Sequence, residues 1–371
     1  MGKKKLKIAF AVVKNISRGG GIEKYTLELG RRLVSRGHEV TVFSMGHYGN
    51  SKAIVEGMRV VKVPSIPGSS FEKLSAGFTA TLKALSLPRD TILHFHATGP
   101  GLFAWLPRLL RYKCVLQLHG IEWQRSRWNK ATQLFLKIIE RFAMKQSSIC
   151  TAVSKVQCEY VAQKYCMSAV YISTGAEIKT VLEPNEIIKL GLQRNRYILF
   201  ASRIVPEKGA HYLIQAFKRL NTDLKLVVAG DAVGVDDYKL ELRNLAGGDS
   251  RILFPGFVEG QALQELFGNA AFYVHPSEIE GLSIALLEAM SFGLCCLTSD
   301  IPENREAIGE AGLTFRNMDI DDLAGQMQRL LNNQEMCKQI GSLARTRVSQ
   351  EFSWDSITDK FEELYFNLTD K

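Results

Sequence analysis

Long hydrophobic runs and paired cysteine motifs are both missing from this sequence. Among 371 residues, no apolar stretch approaches the roughly 20 that a helix needs to cross a bilayer, so we expect no membrane-spanning helix. The seven cysteines include no CxxC pair and no cluster with zinc-ligand spacing. Their odd number and their apolar neighbours are typical of reduced thiols, which favours a cytoplasmic protein.

Tandem repeats and low-complexity segments are also missing. Hydrophobic residues make up 46% of the chain and charged residues 23%, as in ordinary globular proteins, which excludes a disordered chain, a collagen-like fibre and a small disulfide scaffold. The lysines at residues 3–5 and the apolar run after them resemble the start of a signal peptide. However, Lys7 and Lys14 leave too short an apolar core and no cleavage site follows, so we expect a first buried strand there.

Positive charge is concentrated in one half of the sequence. Residues 1–185 contain 28 Lys and Arg against 11 Asp and Glu, a net charge of +17, whereas residues 186–371 contain 19 against 27, a net charge of −8. A basic half of this size suits a nucleic acid, an anionic lipid surface or an anionic substrate, or it serves solubility alone. The sequence has no helix-turn-helix, RNA-binding sheet signature or zinc finger, so we expect no nucleic acid partner.

Strands and helices alternate along the chain in two successive series. Residues 7–13 form a nearly continuous apolar run, typical of a parallel strand buried on both faces, and residues 22–35 have apolar side chains at helical spacing. The pattern restarts with a strand at 197–201, and we expect the strand at 295–298 to be the last. Repetition of strand, helix and strand predicts an α/β protein with two Rossmann-like domains.

A glycine-rich loop, Gly19-Gly20-Gly21, lies between the first strand and the first helix. Bare backbone N–H groups and the helix dipole can receive a phosphate at such a place. The loop has neither Walker A spacing nor a clean GxGxxG followed by an acidic residue, so it fits neither of those nucleotide-binding motifs. The alternative is a tight turn without a ligand.

Two cations follow the strand at 197–201. Arg203 and Lys208 lie five residues apart on one loop beyond the carboxyl end of a parallel strand, where open sheets bind ligands. Arginine offers a bidentate fork and lysine a point charge, so the two can converge on one diphosphate. The alternative is a pair of solvated loop cations.

Two glutamates of the segment 275–290 lie before and within a predicted helix. Glu280 precedes the helix, and Glu288 lies inside it among apolar neighbours, where a carboxylate is costly without hydrogen-bond donors. Sugar and ribose hydroxyls are suitable donors. The free N–H groups of Leu282 and Ser283 at the helix start can hold another anion. The alternative is an ordinary amphipathic helix with a capping glutamate.

Two further patterns suggest metal sites at first sight. The segment Asp319-Ile320-Asp321-Asp322 contains a DxD sequence, but it opens a predicted helix and is expected to cap it. His94 and His96 alternate along a strand, and we expect them to be buried or to line a cleft. We therefore expect no metal site.

Taken together, these motifs resemble the large retaining family of GT-B glycosyltransferases, the fourth in the usual numbering. The segment from Glu280 to Glu288 matches the E-x7-E signature of that family, and further motifs occur in the family's order: the glycine loop, Gly37-His38-Glu39-Val40, His119-Gly120, Arg203 with Lys208-Gly209, Gly256-Phe257-Val258 and Phe352-Ser353-Trp354. The resemblance implies two Rossmann-like domains facing each other across a cleft. It also implies transfer of a hexose with retention, without a metal or cofactor, from a nucleotide diphosphate sugar carrying UDP or GDP.

The resemblance also implies domain limits and partners. Residues 1–180 would bind the acceptor and residues 181–354 the nucleotide sugar, while a C-terminal helix at about 355–371 would pack back on the first domain. The acceptor would be a glycan or a lipid-linked precursor, as in bacterial cell-surface polysaccharide or lipopolysaccharide biosynthesis. The protein would be cytoplasmic and peripheral on the inner face of the membrane. The charge difference between the two halves, and not the resemblance, predicts that basic residues such as Lys73, Lys83, Arg108, Arg111 and Lys113 bind anionic lipid, the alternative being scattered charges that only keep the protein soluble.

The roles of individual residues follow from the same resemblance. Arg203 and Lys208 would clamp the pyrophosphate, Glu288 would bind the ribose hydroxyls, and Glu280 would bind hydroxyls of the donor sugar. His119 would lie by the anomeric centre as the fourth catalytic residue beside Arg203, Lys208 and Glu280. The remaining donor-binding residues would be Gly20, Gly21, Phe257, Val258, Gly281, Leu282 and Ser283.

Three features limit or complicate this assignment. The family's usual interdomain Pro-Asn-Gly segment is Ser173-Thr174-Gly175 here, and Leu282-Ser283 replaces the usual Phe-Gly. Residues 122–128 combine tryptophans with arginines, which suits stacking on an acceptor, an anionic acceptor or an interdomain packing loop. Two other functions are therefore kept as alternatives: a nucleotide-sugar epimerase of the same fold, and a basic protein that binds nucleic acid or an anionic surface.

Overall fold

The chain folds into two α/β units, each built on its own sheet. The computed structural model describes residues 5–17, 20–49, 52–68, 71–125, 128–231 and 236–370. The first unit runs to Thr174 and takes in the chain again from Trp354, and the second is Gly175–Ser353. The first junction therefore lies shortly before residue 180, and the second coincides with the start of the C-terminal helix.

The first unit contains an eight-stranded sheet within its described residues, in the order β3-β4-β2-β1-β5-β6-β7-β8. Only the β3–β4 pair is antiparallel among these strands. Its elements in chain order are β1 (Lys7–Val13), α1 (Gly21–Ser35), β2 (Glu39–Met45), β3 (Ile54–Val55), β4 (Met58–Val63), α2 (Glu72–Ala84), β5 (Ile92–His96), α3 (Thr98–Gly101), α4 (Trp105–Leu109), β6 (Lys113–Leu118), α5 (Lys130–Gln146), β7 (Ile149–Ala152), α6 (Lys155–Tyr165) and β8 (Val170–Tyr171).

The second unit contains a six-stranded parallel sheet in its described part, in the order β11-β10-β9-β12-β13-β14. Its elements are α7 (Glu186–Lys189), β9 (Tyr197–Ala201), α8 (Ala210–Phe217), β10 (Lys225–Ala229), α9 (Asp236–Ala246), β11 (Ile252–Gly256), α10 (Gly260–Gly268), β12 (Phe272–His275), α11 (Ile284–Ser291), β13 (Cys296–Ser299), α12 (Pro302–Ile308), β14 (Leu313–Phe315), α13 (Ile320–Leu331) and α14 (Gln334–Glu351). The prediction that the strand near residue 296 is the last was wrong, because β14 follows it. Strand β14 has only three residues, which are too few to show a hydrophobic pattern.

The last helix, α15 (Trp354–Thr369), packs on α1 in the first unit. Glu362 is 6% exposed and accepts from Arg36 Nη1 at 2.8 Å. Its other oxygen lies 2.9 Å from Nε2 of His38. Because Nδ1 of His38 accepts the Leu6 N–H at 3.2 Å, the ring proton is on Nε2 and is donated to Glu362. A buried carboxylate with two donors therefore holds the C-terminal helix in place.

Each sheet changes the direction of its strand order beside its first strand. In the first unit the change falls between β1 and β5, and in the second between β9 and β12. Loops at the carboxyl ends of two such strands diverge and leave a crevice, which is where open α/β sheets bind ligands. The loops that carry Lys208 and Glu280 follow β9 and β12, so the fold places both at this point of the second sheet.

Candidate active site

Lys208, Glu280 and His275 form one cluster at the switch point of the second sheet. Lys208 ends a short 3₁₀ turn after β9, His275 ends β12, and Glu280 precedes α11. The Lys208 ammonium donates to Oε1 of Glu280, and Nε2 of His275 lies 2.7 Å from the same oxygen. The side chains of Lys208 and Glu280 are 11% and 8% exposed. The structure thus pairs two residues that the sequence analysis assigned to different parts of a ligand.

The cluster is electrically balanced. Burial alone would raise the pKa of Glu280, but the charge of Lys208 and the hydrogen bond from His275 outweigh it, so the pKa lies well below its usual range. Burial lowers the pKa of His275, and the bond to Glu280 offsets this only in part. Near neutral pH the cluster therefore holds an ammonium, a carboxylate and a neutral imidazole. A ligand that offers phosphate oxygens and hydroxyls can take over both ends of this ion pair.

Gly209 holds the two loops of the cluster together. Its φ is +71°, in the left-handed region, and a Cβ at this position would lie 2.0 Å from the carbonyl oxygen of Pro276. Beside this contact, the N–H of Glu278 donates to the carbonyl of Glu207 at 2.9 Å. Only glycine satisfies both the dihedral angle and the close approach. In the Lys208-Gly209 sequence, the lysine therefore supplies the charge and the glycine allows the two loops to pack.

Glu288 lies near the same cluster, on α11. Burial raises the pKa of the Tyr273 hydroxyl well above its usual value, and the charges of Glu280 and Glu288 add to that effect. Both carboxylates of the E-x7-E signature therefore help to raise the pKa of one hydroxyl, that of Tyr273 on β12. Glu288 is half-buried, and Ser283 caps the helix by accepting the Leu286 N–H at 3.3 Å. Gly281 and Leu282 are buried in front of this cap.

The other residues predicted for the second unit lie at the same edge of the sheet. Arg203 is exposed, two residues beyond β9. Phe257 and Val258 follow β11, where Phe257 is 56% exposed and Val258 is half-buried. An exposed aromatic ring at the carboxyl end of a parallel strand is available for stacking. Their topological position agrees with the prediction, while their roles stay predictions.

A chain of hydrogen bonds fixes the tautomer of His119 in the first unit. The Thr26 hydroxyl donates to the Ile22 carbonyl at 2.8 Å, so its oxygen accepts from Nε2 of His96 at 2.9 Å. His96 therefore has no proton on Nδ1, which lies 3.0 Å from Nε2 of His119. It follows that His119 donates through Nε2 and keeps a lone pair on Nδ1. His119 could be recognised from its motif, whereas the roles of His96 and Thr26 have no signal in the sequence.

Both imidazoles of this chain stay neutral. Burial, with the charge of Lys73 as a smaller contribution, lowers the pKa of His119 to about 3. Burial also lowers the pKa of His96 well below its usual value, assisted by His94 and His119. Because neither ring gains a proton near neutral pH, the tautomers follow from the hydrogen bonds alone. The His119 Nδ1 atom is thus an acceptor suited to a hydroxyl.

The start of α1 is arranged differently from the prediction of a bare phosphate site. A Cβ on Gly20 would lie 2.2 Å from Oε2 of Glu23, whose other oxygen accepts the Lys14 N–H at 3.0 Å. Gly20 therefore makes room for a carboxylate of the protein itself, and an incoming phosphate would have to displace it. Gly21 begins the helix, whereas Gly19 lies outside the described residues.

The tryptophan-rich loop packs within the first unit. The Trp123 ring has the ammoniums of Lys137 and Lys164 at 4.2 and 4.0 Å from its centroid, and its Nε1 donates to Tyr160 at 2.8 Å. Tyr160 in turn donates to the buried Glu140 at 2.5 Å. The Trp123 indole is thus held by contacts within the first unit. Two other residues of the segment, 126 and 127, lie outside the described ranges.

The DxD sequence forms a helix cap, as predicted. Asp319 is the N-cap of α13 and accepts the Asp322 N–H at 2.9 Å, while Asp321 pairs with Arg219. In the described part of the chain, no group of three or more His, Cys, Asp or Glu side chains is placed to hold a metal ion. None of the helices described combines the length and apolar composition needed to cross a membrane.

Sequence comparison identifies relatives along nearly the whole chain. It is 26% identical to the N-acetyl-alpha-D-glucosaminyl L-malate synthase of Bacillus anthracis, over 98% of this chain and 97% of that protein. It is 23% identical to the UDP-Gal:alpha-D-GlcNAc-diphosphoundecaprenol alpha-1,3-galactosyltransferase of Escherichia coli, with the same coverage. The sucrose-phosphate synthase structure from Thermosynechococcus elongatus matches with a TM-score of 0.84 at 20% identity, over 98% of this chain and 99% of that one.

Two family models together account for most of the sequence. The model described as Glycosyltransferase Family 4 matches residues 19–179, and the model described as Glycosyl transferases group 1 matches residues 183–347. The first match falls almost entirely in the first unit and the second lies within the second unit. The chain therefore belongs to the group 1, family four glycosyltransferases and has their GT-B fold.

Proposed function

We propose that this glycosyltransferase transfers a hexose, with retention and without a metal, from a nucleotide diphosphate sugar to a glycan or lipid-linked acceptor. The observation that carries the proposal is the buried cluster of Lys208, Glu280 and His275 at the switch point of the second sheet. A cation paired with a carboxylate at this place matches a ligand that presents phosphate oxygens beside sugar hydroxyls. UDP or GDP is the nucleotide we expect.

Donor binding would separate the charges of the cluster. Lys208 and Arg203 would hold the diphosphate and stabilise the charge that develops on the leaving group, which is the main catalytic effect we assign. Glu280, released from Lys208, would accept hydroxyls of the sugar, and Glu288 those of the ribose. The backbone at Leu282 would donate to the anion.

Further contacts would fix the ends of the donor. Phe257 and Val258 would line the base site, with Gly281 and Ser283 beside the phosphates. Gly20 and Gly21 would approach the diphosphate once Glu23 is displaced. The reaction would be a substitution on one face of the sugar without a covalent intermediate.

His119 would accept a hydroxyl of the donor sugar through Nδ1. The hydrogen-bond chain leaves a lone pair on this atom and no proton, so the group acts as an acceptor and not as a general acid. The sequence predicted only that His119 lies by the anomeric centre. The hydrogen-bond chain adds that His119 Nδ1 does not donate a proton in the resting protein.

The acceptor would be a lipid-linked or polysaccharide precursor of the bacterial cell surface, met at the inner face of the cytoplasmic membrane. Two observations support this class. The Escherichia coli relative is named for an acceptor on diphosphoundecaprenol, and the basic half of the chain, with a net charge of +17, suits anionic precursors.

A thermal-shift panel of nucleoside diphosphates and their hexose derivatives tests the proposal, with transfer then assayed for the donor that binds. At 100 times its dissociation constant, a ligand stabilises the folded protein by about 2.7 kcal/mol. Lys208→Ala should lose this shift, whereas Lys189→Ala, which removes an exposed lysine on α7, should keep it. Activity should survive EDTA. The absence of any shift with every nucleotide at millimolar concentration would refute the proposal.

A further inference from the structure

Helix α5 presents its apolar side chains to solvent. Leu134 and Ile138 are each 61% exposed, Phe135 is 50% exposed and Phe142 is 38% exposed. Their spacing of three and four residues places them on one face of the helix. The opposite face is the one that packs, with Ile139, Glu140, Ala143 and Met144 buried. In an ordinary surface helix the outward face is polar, so α5 has an apolar face that none of the described residues covers.

Neighbouring elements extend this exposed surface. Helix α4 packs against α5, and α2 packs against the turn at residues 102–104 that contacts α5 as well. The Phe78 and Phe103 rings lie 5.4 Å apart and join α2 to that turn. We define the apolar face as the exposed apolar residues of α2, α4 and α5: Phe78, Leu82, Trp105, Leu109, Leu134, Phe135, Ile138 and Phe142.

The exposed charges on these three helices are all positive. Their only acidic residues are Glu72 and Glu140, and both are buried at 8% and 2% exposure. Glu72 accepts from Tyr48 at 2.8 Å, and Glu140 accepts from Tyr165 at 2.7 Å. The basic residues of the same helices are Lys73, Lys83, Arg108, Lys130, Lys137, Arg141 and Lys145.

We propose that the apolar face docks on an anionic lipid bilayer. Aromatic and aliphatic side chains at the level of the acyl boundary, with lysine and arginine at the headgroups, are the composition of interfacial helices. A second copy of this chain would bring together two sets of helices whose exposed charges are all positive, so charge complementarity favours an anionic surface over self-association. The inference rests on exposure and charge, and it does not depend on the proposed glycosyl transfer.

Vesicle sedimentation of the full chain tests the proposal. Vesicles of phosphatidylglycerol and phosphatidylcholine should bind the protein at 0.1 M salt, and pure phosphatidylcholine vesicles should bind it at least tenfold less. Arg141→Gln/Lys145→Gln should weaken binding to the anionic vesicles about 25-fold, since each basic residue near such a surface contributes about fivefold. Phe135→Ser/Ile138→Ser should weaken it at least tenfold at every salt concentration, because it removes apolar insertion.

The matched control is Leu240→Ser/Leu343→Ser, which removes two exposed leucines, 58% and 55% exposed, from the second unit and should bind like the wild type. Vesicles that contain brominated lipid give a second test, which does not require variants that change the surface charge. The brominated lipid should quench tryptophan fluorescence of the wild type, and Trp105→Phe should abolish most of that quenching.

Three outcomes would overturn the proposal. One is equal binding to anionic and neutral vesicles. Another is unchanged binding of the Phe135→Ser/Ile138→Ser variant. The last is a dimer in light scattering that this same variant converts to a monomer, because the apolar face would then be covered by a second copy.

Discussion

The buried ion pair between Lys208 and Glu280 should make both side chains necessary for stability as well as for donor binding. Removing one partner of a buried pair leaves the other charge without compensation, at a cost of about 3–5 kcal/mol. In Glu280→Gln, the amide presents to the Lys208 ammonium and the His275 N–H either its own N–H₂ group, which cannot accept a hydrogen bond, or its oxygen, which is a weaker acceptor than a carboxylate. We therefore expect this variant to lose about 3–5 kcal/mol of the free energy of unfolding in urea.

A double-mutant cycle measures the interaction energy between Lys208 and Glu280 separately from their contacts with other residues. Lys208→Met/Glu280→Gln should lose at least about 1 kcal/mol less than the sum of the single variants, because the two sites are in contact. The matched control is the exposed Glu186–Lys189 pair at 2.7 Å, where Glu186→Gln should change stability by less than about 0.5 kcal/mol. Strictly additive effects at Lys208 and Glu280 would refute the reasoning, as would a cost below about 1 kcal/mol for Glu280→Gln.

The pH dependence of the same variant has a definite sign. The pKa of Glu280 is lower in the folded protein than its ordinary value of 4.5, so the stabilisation by its charge is present above that value. It is lost as the pH falls below 4.5 toward the folded pKa. The difference in unfolding free energy between the wild type and Glu280→Gln should therefore be constant near neutral pH and shrink in acid. A difference that grows in acid would contradict the assigned charge.

Three further predictions concern other parts of the molecule. Arg203→Ala should lower kcat/KM by about 2–4 kcal/mol of transition-state stabilisation, the scale of one charge-stabilising donor, and leave urea unfolding unchanged because the side chain is exposed; a wild-type kcat/KM would remove Arg203 from the site. In selectively ¹⁵N-labelled protein, ring nitrogen shifts should show His119 protonated on Nε2, and Thr26→Val should disturb the His96 signals; a His119 protonated on Nδ1 would contradict the hydrogen-bond chain. Glu362→Ala should cost about 1–3 kcal/mol in urea unfolding, because it leaves the buried His38 N–H without its acceptor while Arg36 keeps Asp359 at 2.7 Å, and it should expose α15 to protease; resistance equal to the wild type would show that apolar packing alone holds the helix.

Much of the fold could be predicted from local pattern. The continuous apolar runs of β1 and β9 are typical of strands buried on both faces, and the glycines after the first strand indicated a loop. Lys208 and Glu280 could be identified as site residues because each follows a strand of a parallel sheet. Their pairing could not be predicted, since it joins positions 72 residues apart through the packing of two loops. Sequence pattern carries no information on which loops approach each other.

Other details were hidden for different physical reasons. Strand β14 is three residues long, which is shorter than any periodicity can show. The tautomer of His119 depends on Thr26, a hydroxyl on a helix face that sequence alone assigns to ordinary packing. The carboxylate of Glu23 folds back over Gly20, although a glycine loop before a helix otherwise predicts an empty anion site.

The return of the chain to the first unit at Trp354 has a consequence for protein synthesis. Helix α15 supplies buried Phe361 and Tyr365 to the first unit, yet the ribosome makes it only after the whole of Gly175–Ser353. At about 5–20 residues per second, the first unit waits on the order of 10 to 35 s for its last helix, while the second unit can already fold. During that interval the surface under α15 is open to chaperones, so the order of folding should run from the second unit to the first, against the order of synthesis.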